Sequence, residues 1–288
     1  MKLAITGTTG RVGRAMADDF GGKHELIELN RLAFDLADPG LVWRLSELDF
    51  DALLNPAAMT SLEACEDAPE LAHRLNGEVP GELAAMCRAR GRRMLHFSTD
   101  YVLAGDEPGL HAEDSAVGPR SVYAQTKLEG ERLVLDQGGC VMRVSWVFGP
   151  ERKAFPDQVI ERALAGEALA AVADKTSLPA CTRDLTKWVE AVMVAGFPNE
   201  VIHACHTGEP VSWHEMAEEI VGFLVERGEL DEKPVIERQI LAEMSAFRAE
   251  RPRHTAMATD RLSVLLGGPP RHWREAMREF VNERLISR

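Results

Sequence analysis

The stretch that decides the fold is KLAITGTTGRVGRAMADDF, residues 2–20, in which a glycine-rich turn joins an apolar run to an amphipathic one. KLAIT is short and apolar, as a buried strand is, and RVGRAMADDF has the spacing of a helix. Gly7, Gly10 and Gly13 form the pattern GxxGxxG between them. Glycine permits a tight turn, and the free N–H groups at a helix start attract negative charge. The stretch therefore predicts a dinucleotide-binding turn, with a purely structural turn as the alternative.

The alternation of strand and helix continues along the first half of the chain. HELIEL, DALLN, RMLHF and CVMRVS indicate further strands, and a long helix is expected from about Ala68 to Arg90. Strands that alternate with helices form a parallel sheet covered on both faces. The predicted fold class is α/β, a Rossmann-type doubly wound parallel sheet with a smaller C-terminal substrate-binding lobe. We expect residues 1–150 to form the dinucleotide-binding domain and 151–288 mainly the lobe, with 183–206 returning to the main sheet.

Composition narrows the classes of partner. Among 288 residues, 33 are basic and 46 acidic, which gives a net charge of −13. Nucleic-acid phosphates and anionic membranes repel such a surface, so we expect no nucleic-acid partner and no membrane partner. An anionic ligand then needs local basic groups or helix N-termini.

The cysteines indicate a reducing compartment. They are odd in number and form no CxxC pair: Cys65, Cys87, Cys140, Cys181 and Cys205. Such thiols are typical of a cytoplasmic protein, and Met1 leads into a strand rather than into a signal peptide. The segment HACH, residues 203–206, offers metal-ligand types but fits better as the end of a buried strand, and we predict no metal site.

The end of the second strand bears on the choice of dinucleotide. Sites selective for NAD place a carboxylate there, which binds the ribose hydroxyls. Here the strand ends in Asn30, which does not repel a 2′-phosphate, and Arg31, which can pair with one. The predicted cofactor is NADPH, with NADH as an alternative. Arg31 could instead be an ordinary solvated surface residue with no role in cofactor binding.

Small and polar residues near these strand ends complete the predicted cofactor site. Asp35 and Leu36 offer a carboxylate and an apolar wall to the adenine, and Ala57 and Ala58 let a cofactor approach the backbone. The predicted cofactor-binding residues are Gly7, Thr9, Gly10, Arg11, Val12, Gly13, Asn30, Arg31, Asp35, Leu36, Ala57 and Ala58, together with Tyr123 and Lys127.

The chain has only two tyrosines, Tyr101 and Tyr123, and Lys127 follows the second by one helical turn. On a helix such positions share a face about 5–6 Å apart. An ammonium there stabilises a phenolate, so we expect a lowered pKa for Tyr123, which can then protonate a carbonyl oxygen. Thr99 follows the fourth strand and can hydrogen-bond the same oxygen. The alternative is an exposed Tyr–Lys pair beside an ordinary turn residue.

The glycine-rich turn, followed along the chain by Thr99, Tyr123 and Lys127, resembles an extended short-chain dehydrogenase/reductase. More narrowly, the chain resembles the dTDP-4-dehydrorhamnose reductase family. The matching segments are GTTGRVG, NPAAMTSLEACEDAPELAHRLN, FSTDYVLAG, SVYAQTKLEGE, RVSWVFGP and RPRHTAMATDRL, spread over almost the whole chain. The resemblance implies that Thr99, Tyr123 and Lys127 are the catalytic residues. It also implies that Asn76 supports the active-site backbone and that Trp146 faces the substrate sugar. The predicted substrate-binding residues are Thr60, Asp100, Tyr101, Trp146 and Arg251.

The activity implied is reduction of the 4-keto group of a 4-keto-6-deoxy nucleotide sugar by NADPH, with Tyr123 as the proton donor. Arg251 or Arg253 can pair with the diphosphate of such a substrate. A nucleotide-sugar epimerase or dehydratase is one alternative, although Thr99 is followed by Asp100 without an adjacent Glu. A non-catalytic regulatory subunit, resembling that of methionine adenosyltransferase, is another. A homodimer is common for such folds, but no motif demonstrates one.

The chain departs from the family pattern at four points, one of which is FPDQ at residues 155–158. Pro56 stands in NPAA where the family has NAAA, and Ala124 stands where Gly usually follows the tyrosine. The segment ADKTSLPACT replaces the more usual DQxGxPT but keeps Pro179. Because this last segment shapes the substrate side, the identity of the sugar nucleotide stays open.

Overall fold

The strands of the computed structural model, which describes residues 1–286, follow the apolar runs of the sequence. They are β1 (Lys2–Thr6), β2 (Glu25–Leu29), β3 (Ala52–Asn55), β4 (Arg93–Thr99), β5 (Cys140–Val144), β6 (Val147–Phe148), β7 (Leu169–Val172), β8 (Thr176–Ser177), β9 (Ala180–Cys181), β10 (Val201–Ala204), β11 (Val211–Ser212) and β12 (Ile236–Gln239). Six of them form one parallel sheet in the order β2-β1-β3-β4-β5-β10. The others pair as β11-β8, β12-β7 and β6-β9.

The helices alternate with the strands of the main sheet and then dominate the C-terminal part. They are α1 (Arg11–Phe20), α2 (Leu41–Ser46), α3 (Leu62–Asp67), α4 (Pro69–Ala72), α5 (Val79–Ala89), α6 (Val122–Asp136), α7 (Phe155–Leu164), α8 (Thr182–Val194), α9 (Trp213–Glu226), α10 (Asp260–Leu266) and α11 (Trp273–Ile286). A π-helical segment, His73–Glu78, joins α4 to α5. Short 3-10 turns span Asp100–Val102 and Leu241–Glu243. The predicted α/β class with a Rossmann-type doubly wound parallel sheet is confirmed.

Alternate side chains of β1 serve the two faces of the sheet, as strand geometry requires. Leu3 and Ile5 pack in an apolar cluster that includes Met16 and Phe20 of α1. Ala4 belongs to a second cluster on the opposite face, which includes buried side chains of α2 and α5. The N-terminal run is therefore apolar throughout because both of its faces are covered.

The order of strands reverses between β1 and β3, because the chain moves outward to β2 on one side and to β4 and β5 on the other. In open parallel sheets, ligands bind at the carboxyl ends of the strands beside such a reversal. The glycine-rich turn and Thr99 both lie at this edge, since they follow β1 and end β4.

The C-terminal part has an apolar core of its own, to which α7, α9 and α11 contribute. Its buried members include Phe148, Ile160, Ile220, Trp273 and Phe280. The start of α9 has a capping box, in which Ser212 accepts from the N–H of Glu215 at 3.1 Å and donates to its carboxylate. β10 pairs in parallel with β5 at the edge of the main sheet. The division into a cofactor-binding domain and a substrate-binding lobe stays a prediction.

The helix expected from about Ala68 to Arg90 is present from Pro69 to Ala89, except that its turns at His73–Glu78 are π-helical. Ala68 has φ −138° and ψ 67°, which ends α3 before α4 begins. The cause is Pro69, because proline disfavours helical dihedrals in the residue before it. The sequence also gave no warning of α3, whose first turn Ser61 caps by accepting from the N–H of Ala64 at 3.2 Å.

The π-helical segment within this stretch packs backbone to backbone against α6. A Cβ atom on Gly130 of α6 would lie 2.2 Å from the carbonyl oxygen of Asn76. Glycine therefore permits an approach that fixes Asn76 beside the first turns of α6. No helix among residues 1–286 is long and apolar enough to cross a membrane.

Candidate active site

The turn after β1 is shaped by its glycines. Gly7 has φ +60°, in the left-handed region that side chains rarely adopt. A Cβ on Gly13 would lie 2.3 Å from the carbonyl oxygen of Gly7, so the helix can start this close only with glycine there. Gly10 begins α1 without a side-chain cap, which leaves the first N–H groups free of side-chain partners. These features fit the diphosphate of a dinucleotide, as the sequence predicted.

The other residues predicted for this turn, Thr9, Arg11 and Val12, differ in their exposure and in their contacts. Thr9 is exposed and Val12 is half-buried. Arg11 turns its guanidinium away from the turn and donates to the carbonyl oxygens of Val147 at 2.9 Å and Lys153 at 2.8 Å. Its side chain thus connects the start of α1 to β6 and to the loop between β6 and α7.

The end of β2 lies beside the turn, since Gly7 donates from its N–H to the carbonyl oxygen of Leu29 at 2.9 Å. Asn30 closes the following turn by accepting from the N–H groups of Leu32 and Ala33 at 3.0 and 3.2 Å. Arg31 is 82% exposed at its side chain and lies 3.6 Å from the half-buried Asp35. An exposed guanidinium at this strand end is free to turn toward a phosphate. Leu36, like Ala57 and Ala58 after β3, is half-buried.

Thr99 and Asp100 form the polar end of β4. The Thr99 hydroxyl accepts from the N–H of Tyr101 at 3.2 Å and donates to Asp100 Oδ1 at 3.2 Å. Asp100 is 2% exposed, and its Oδ2 accepts from Thr255 at 2.5 Å and from Ser177 at 3.2 Å. The carboxylate is therefore held by three hydroxyl groups from three parts of the chain.

Tyr123 comes to the same place from the first turn of α6. Its ring packs edge-on against Tyr101, with centroids 6.3 Å apart, so the two tyrosines of the chain are in contact. Burial raises the pKa of Tyr123, although a hydrogen bond with Thr99 acts in the opposite direction. The expectation of a lowered pKa was therefore wrong, because removal from water outweighs the neighbouring polar groups.

Lys127 lies one turn further along α6, but its amine is directed at β4. Its Nζ is 3.0 Å from Nε2 of His96 and donates to the carbonyl oxygen of Phe97 at 2.5 Å. The side chain is buried, and burial lowers the pKa of Lys127 to about 7. Glu131 raises it slightly but is itself paired with Arg143. The expected ammonium–phenolate pair with Tyr123 is therefore not formed.

Asn76 fixes the loop between β3 and the site. Its Oδ1 accepts from the N–H of Met59 at 2.9 Å, and its Nδ2 donates to the carbonyl oxygen of Met59 at 3.0 Å. The same Nδ2 lies 3.3 Å from the Thr126 hydroxyl on α6. Asn76 thereby connects the backbone after Ala58 to the helix that carries Tyr123.

Trp146 borders the opposite side of the site. It has φ +41°, and its buried indole N–H has no hydrogen-bond partner among the described residues. Its ring lies 5.3 Å from that of Trp213. Backbone strain and a buried hydrogen-bond donor without a partner are both common at ligand-binding sites, and Trp146 shows both.

Lys175 is a site residue that sequence reasoning did not single out. It is fully buried, donates to the carbonyl oxygen of Pro252 at 2.7 Å, and has its Nζ 4.4 Å from the ring centroid of Tyr101. Burial lowers its pKa to about 8, against an opposing effect of Asp100. The available signal was the Lys at the second position of DKTSLP, where the family pattern has Gln.

Arg251 and Arg253, the two arginines expected near a diphosphate, lie directly before His254 in the chain. Arg251 donates to Glu63 of α3 and to the carbonyl oxygen of Ala249, each at 2.8 Å, and its side chain is only 7% exposed. Arg253 is more exposed and lies 3.9 Å from Asp174. Thr60 is exposed at the end of the loop that leads from β3 to α3. Arg251 therefore reaches a substrate only if it leaves Glu63.

The segment HACH belongs to β10 and the residue pair after it, so the predicted strand is confirmed. His206 accepts from the N–H of Cys181 at 3.1 Å, and His203 contacts the carbonyl oxygen of Ala258 at 3.1 Å. Both imidazoles are committed to protein partners. No group of three possible metal ligands occurs within residues 1–286. All five cysteines are buried and unpaired.

A dinucleotide turn, a Thr and a Tyr in contact at the end of β4, and a Lys one turn after the Tyr together define a short-chain dehydrogenase/reductase type of site. The family model described as RmlD substrate binding domain matches residues 1–286, and the chain belongs to this family. The family predicted from the sequence motifs is thereby confirmed.

Known proteins similar to this chain carry reductase names. A dTDP-4-dehydrorhamnose reductase of Mycolicibacterium smegmatis is 31% identical over 97% of this chain and 85% of its own length. A probable dTDP-4,6-dihydroxy-2-methyloxan-3-one 4-ketoreductase of Streptomyces antibioticus is 32% identical over 97% of this chain and 94% of its own. The crystal structure of a dTDP-4-dehydrorhamnose reductase from Clostridium acetobutylicum superposes with a TM-score of 0.89, at 27% identity and with 100% of both chains covered.

Proposed function

We propose that the protein reduces the 4-keto group of a 4-keto-6-deoxy nucleotide sugar, with NADPH as the reductant. The observation that carries the proposal is the contact of Tyr123 with Thr99 at the carboxyl end of β4, beside a turn built for a dinucleotide. The family and the reductase names of its relatives support the same reaction.

The nicotinamide supplies a hydride to the keto carbon when NADPH is bound. Tyr123 transfers its phenolic proton to the carbonyl oxygen, so that C=O, hydride and proton together give the alcohol. Thr99 orients the same oxygen through its hydroxyl. Lys127 assists once its amine carries a proton, since an ammonium stabilises the tyrosinate that remains.

The raised pKa of Tyr123 suits this direction of reaction. A general acid must hold its proton until the transition state, and burial keeps the phenol protonated across the neutral range. The phenolate produced by proton transfer is then costly in the buried site, which favours rapid return of a proton.

The 2′-phosphate of NADPH has a partner in Arg31. Its guanidinium is exposed at the end of β2, where it lies 3.6 Å from the Asp35 carboxylate, and a 2′-phosphate can compete with that carboxylate for it. NADH lacks this phosphate and is proposed as the poorer reductant.

The sugar is proposed only as a class. Trp146, whose indole N–H has no partner within residues 1–286, and Tyr101 are suited to a sugar ring. The names of the two relatives given above specify different sugars, so the shared chemistry is a 4-keto group on a dTDP sugar. We propose a cytoplasmic location because the thiols are buried and unpaired, and the homodimer stays a prediction.

The state of Asp100 counts against the dehydratase alternative. A dehydratase needs a further acid or base beside the tyrosine, but Asp100 is buried and accepts from Thr99, Thr255 and Ser177. Its lone pairs are occupied by protein donors rather than aimed at a substrate.

The test is consumption of NADPH by the purified protein in the presence of dTDP-4-dehydrorhamnose or another dTDP-4-keto-6-deoxy sugar. Oxidation that depends on the keto sugar, in proportion to its amount, is the expected result. Tight NADPH binding without oxidation on any such sugar would favour the regulatory alternative.

A further inference from the structure

A chain of buried hydrogen bonds runs from the glycine-rich turn to Lys127. The hydroxyl of Thr6 donates to Asn55 Oδ1 at 2.7 Å, Asn55 Nδ2 lies 3.0 Å from Nδ1 of His96, and Nε2 of His96 lies 3.0 Å from Lys127 Nζ. These four side chains are at most 3% exposed. The chain crosses β1, β3 and β4 beneath the site and ends at a residue predicted to be catalytic.

The backbone N–H of Ala57 determines which group donates in the hydrogen bonds from Thr6 to Asn55 and from Asn55 to His96. Thr6 accepts from the N–H of Ala57 at 3.2 Å, so its own proton is available for Asn55 Oδ1. The Asn55 amide nitrogen can only donate, and Nδ1 of His96 must therefore accept. Burial holds the pKa of His96 well below its ordinary value, so the ring carries one proton. That proton is on Nε2.

The protonation state of Lys127 follows from this tautomer. Nε2–H points at Nζ across 3.0 Å, and an ammonium has three donors and no acceptor. Only a neutral amine can accept from Nε2–H and also donate to the carbonyl oxygen of Phe97. Of the groups around it, Tyr123 on the same helix is neutral, and Glu131, which favours the ammonium, is paired with Arg143 of β5.

We propose that His96 holds Lys127 as a neutral amine in the cofactor-free protein, so that binding of NADPH is coupled to the uptake of one proton at Lys127. The dinucleotide brings negative charge and ribose hydroxyl acceptors to this edge of the sheet, and both favour an ammonium. A protonated Nζ faces Nε2–H donor to donor and leaves His96. His96 is thus a positioning residue that keeps the lysine inactive until the cofactor is present.

The inference rests on the proposed cofactor but on no particular sugar, and calorimetry of NADPH binding tests it without turnover. The heat is measured at about pH 8 in several buffers of different ionisation enthalpy, where the phosphates of NADPH are fully ionised. With a lysine pKa of about 7, the full chain should take up about 0.9 proton per NADPH at that pH. Binding without proton uptake overturns the inference and leaves the proposed function standing. Absence of binding overturns both.

Two variants assign the proton. Lys127→Met should bind NADPH with no uptake, and uptake that persists in this variant overturns the inference. Asn55→Asp places an acceptor opposite Nδ1, moves the histidine proton there and leaves Nε2 to accept from an ammonium, so uptake should fall at least threefold. Asn282→Asp, which adds the same charge on α11, is the matched control and should behave as the unchanged protein.

A second measurement keeps the test independent of how the variants fold. Nitrogen-15 NMR of histidine-labelled protein distinguishes the two neutral tautomers, and the His96→Gln variant identifies the signal. The Nε2–H form is expected for His96 without cofactor. The Nδ1–H form would overturn the inference, because Nε2 could then accept from an ammonium.

Discussion

The hydroxyl of Thr255 donates to the buried carboxylate of Asp100 at 2.5 Å, across 155 positions of the chain. This bond joins a segment near the C-terminus to the residue directly after Thr99. The end of β4 is thereby held from the C-terminal side as well as by its own sheet neighbours.

Loss of this bond should destabilise the protein. Thr255→Val keeps the shape of the side chain but leaves a buried carboxylate oxygen with one donor fewer, at a cost of about 1–3 kcal/mol in the free energy of unfolding. Urea denaturation measures the loss. Thr255→Ser restores the donor and should recover most of the stability; an equal loss in both variants would mean that packing, not the hydrogen bond, matters here.

Removal of the Tyr123 hydroxyl should abolish most of the turnover. Tyr123→Phe keeps the ring but has no proton to transfer, and general acid catalysis contributes about 10²–10⁴-fold. The turnover number should fall by that factor while the dissociation constant of NADPH changes little. Gln125→Ala, on an exposed position of the same helix, is the control. A near-normal rate in Tyr123→Phe would remove the residue from its proposed role.

Arg31 should decide the preference between the two dinucleotides. Arg31→Ala removes the charge beside the proposed 2′-phosphate, and we expect the KM for NADPH to rise about tenfold, as for loss of one charge-assisted contact. The KM for NADH should stay within about twofold. Arg14→Ala, a surface arginine of α1 paired with Asp18, serves as the comparison. Equal effects on both cofactors would show that Arg31 is a solvated surface residue.

The cofactor-free protein should gain stability as the pH rises above 7. The pKa of Lys127 is about 7 in the folded protein against an ordinary 10.5, so between these values the unfolded chain binds one proton more. The free energy of unfolding then rises by about 1.4 kcal/mol per pH unit. Lys175, with a pKa of about 8, adds to the slope only at higher pH.

Urea denaturation at about pH 7 and about pH 8.5 measures this slope. Lys127→Met should remove most of the gain, about 2 kcal/mol over this interval. The comparison stops at about pH 8.5 because the buried cysteines become important at higher pH. Burial raises their pKa values above the ordinary 9.0, so above that pH they lower the free energy of unfolding as the pH rises. A slope unchanged in Lys127→Met would mean that the lysine is charged in the folded protein.

The parts of the fold that the sequence could predict are those with local causes. β1, the glycine turn and α1 follow from an apolar run, a glycine spacing and a helical period within twenty consecutive positions. The two-residue strands such as β6 and β9 escaped prediction because their partners lie in distant segments. The π-helical turn at Asn76 depends on Gly130 of another helix, which no local pattern reveals.

In the site, too, the features with local causes could be predicted from the sequence, and those that depend on distant residues could not. Thr99, Tyr123 and Lys127 were predicted as catalytic residues from their order and spacing, and the first two are in contact. Their catalytic roles stay predictions. The expected pairing of Lys127 with Tyr123 was wrong because the lysine amine contacts His96, which is 31 positions before Lys127 and meets it only in the folded sheet. A histidine within the apolar strand RMLHF was the one available signal. Lys175 was likewise visible only as a departure from the family pattern.

The measurement that tests the central claim most directly follows the hydride itself. The protein is supplied with NADPH that carries deuterium at the transferable position of the nicotinamide, and with a dTDP-4-keto-6-deoxy sugar, and the sugar product is analysed by mass spectrometry and NMR. A reductase of the proposed kind gives a product with one deuterium on carbon 4 and an equal amount of oxidised cofactor. A sugar product without deuterium, or sugar conversion with no net oxidation of NADPH, would contradict the account.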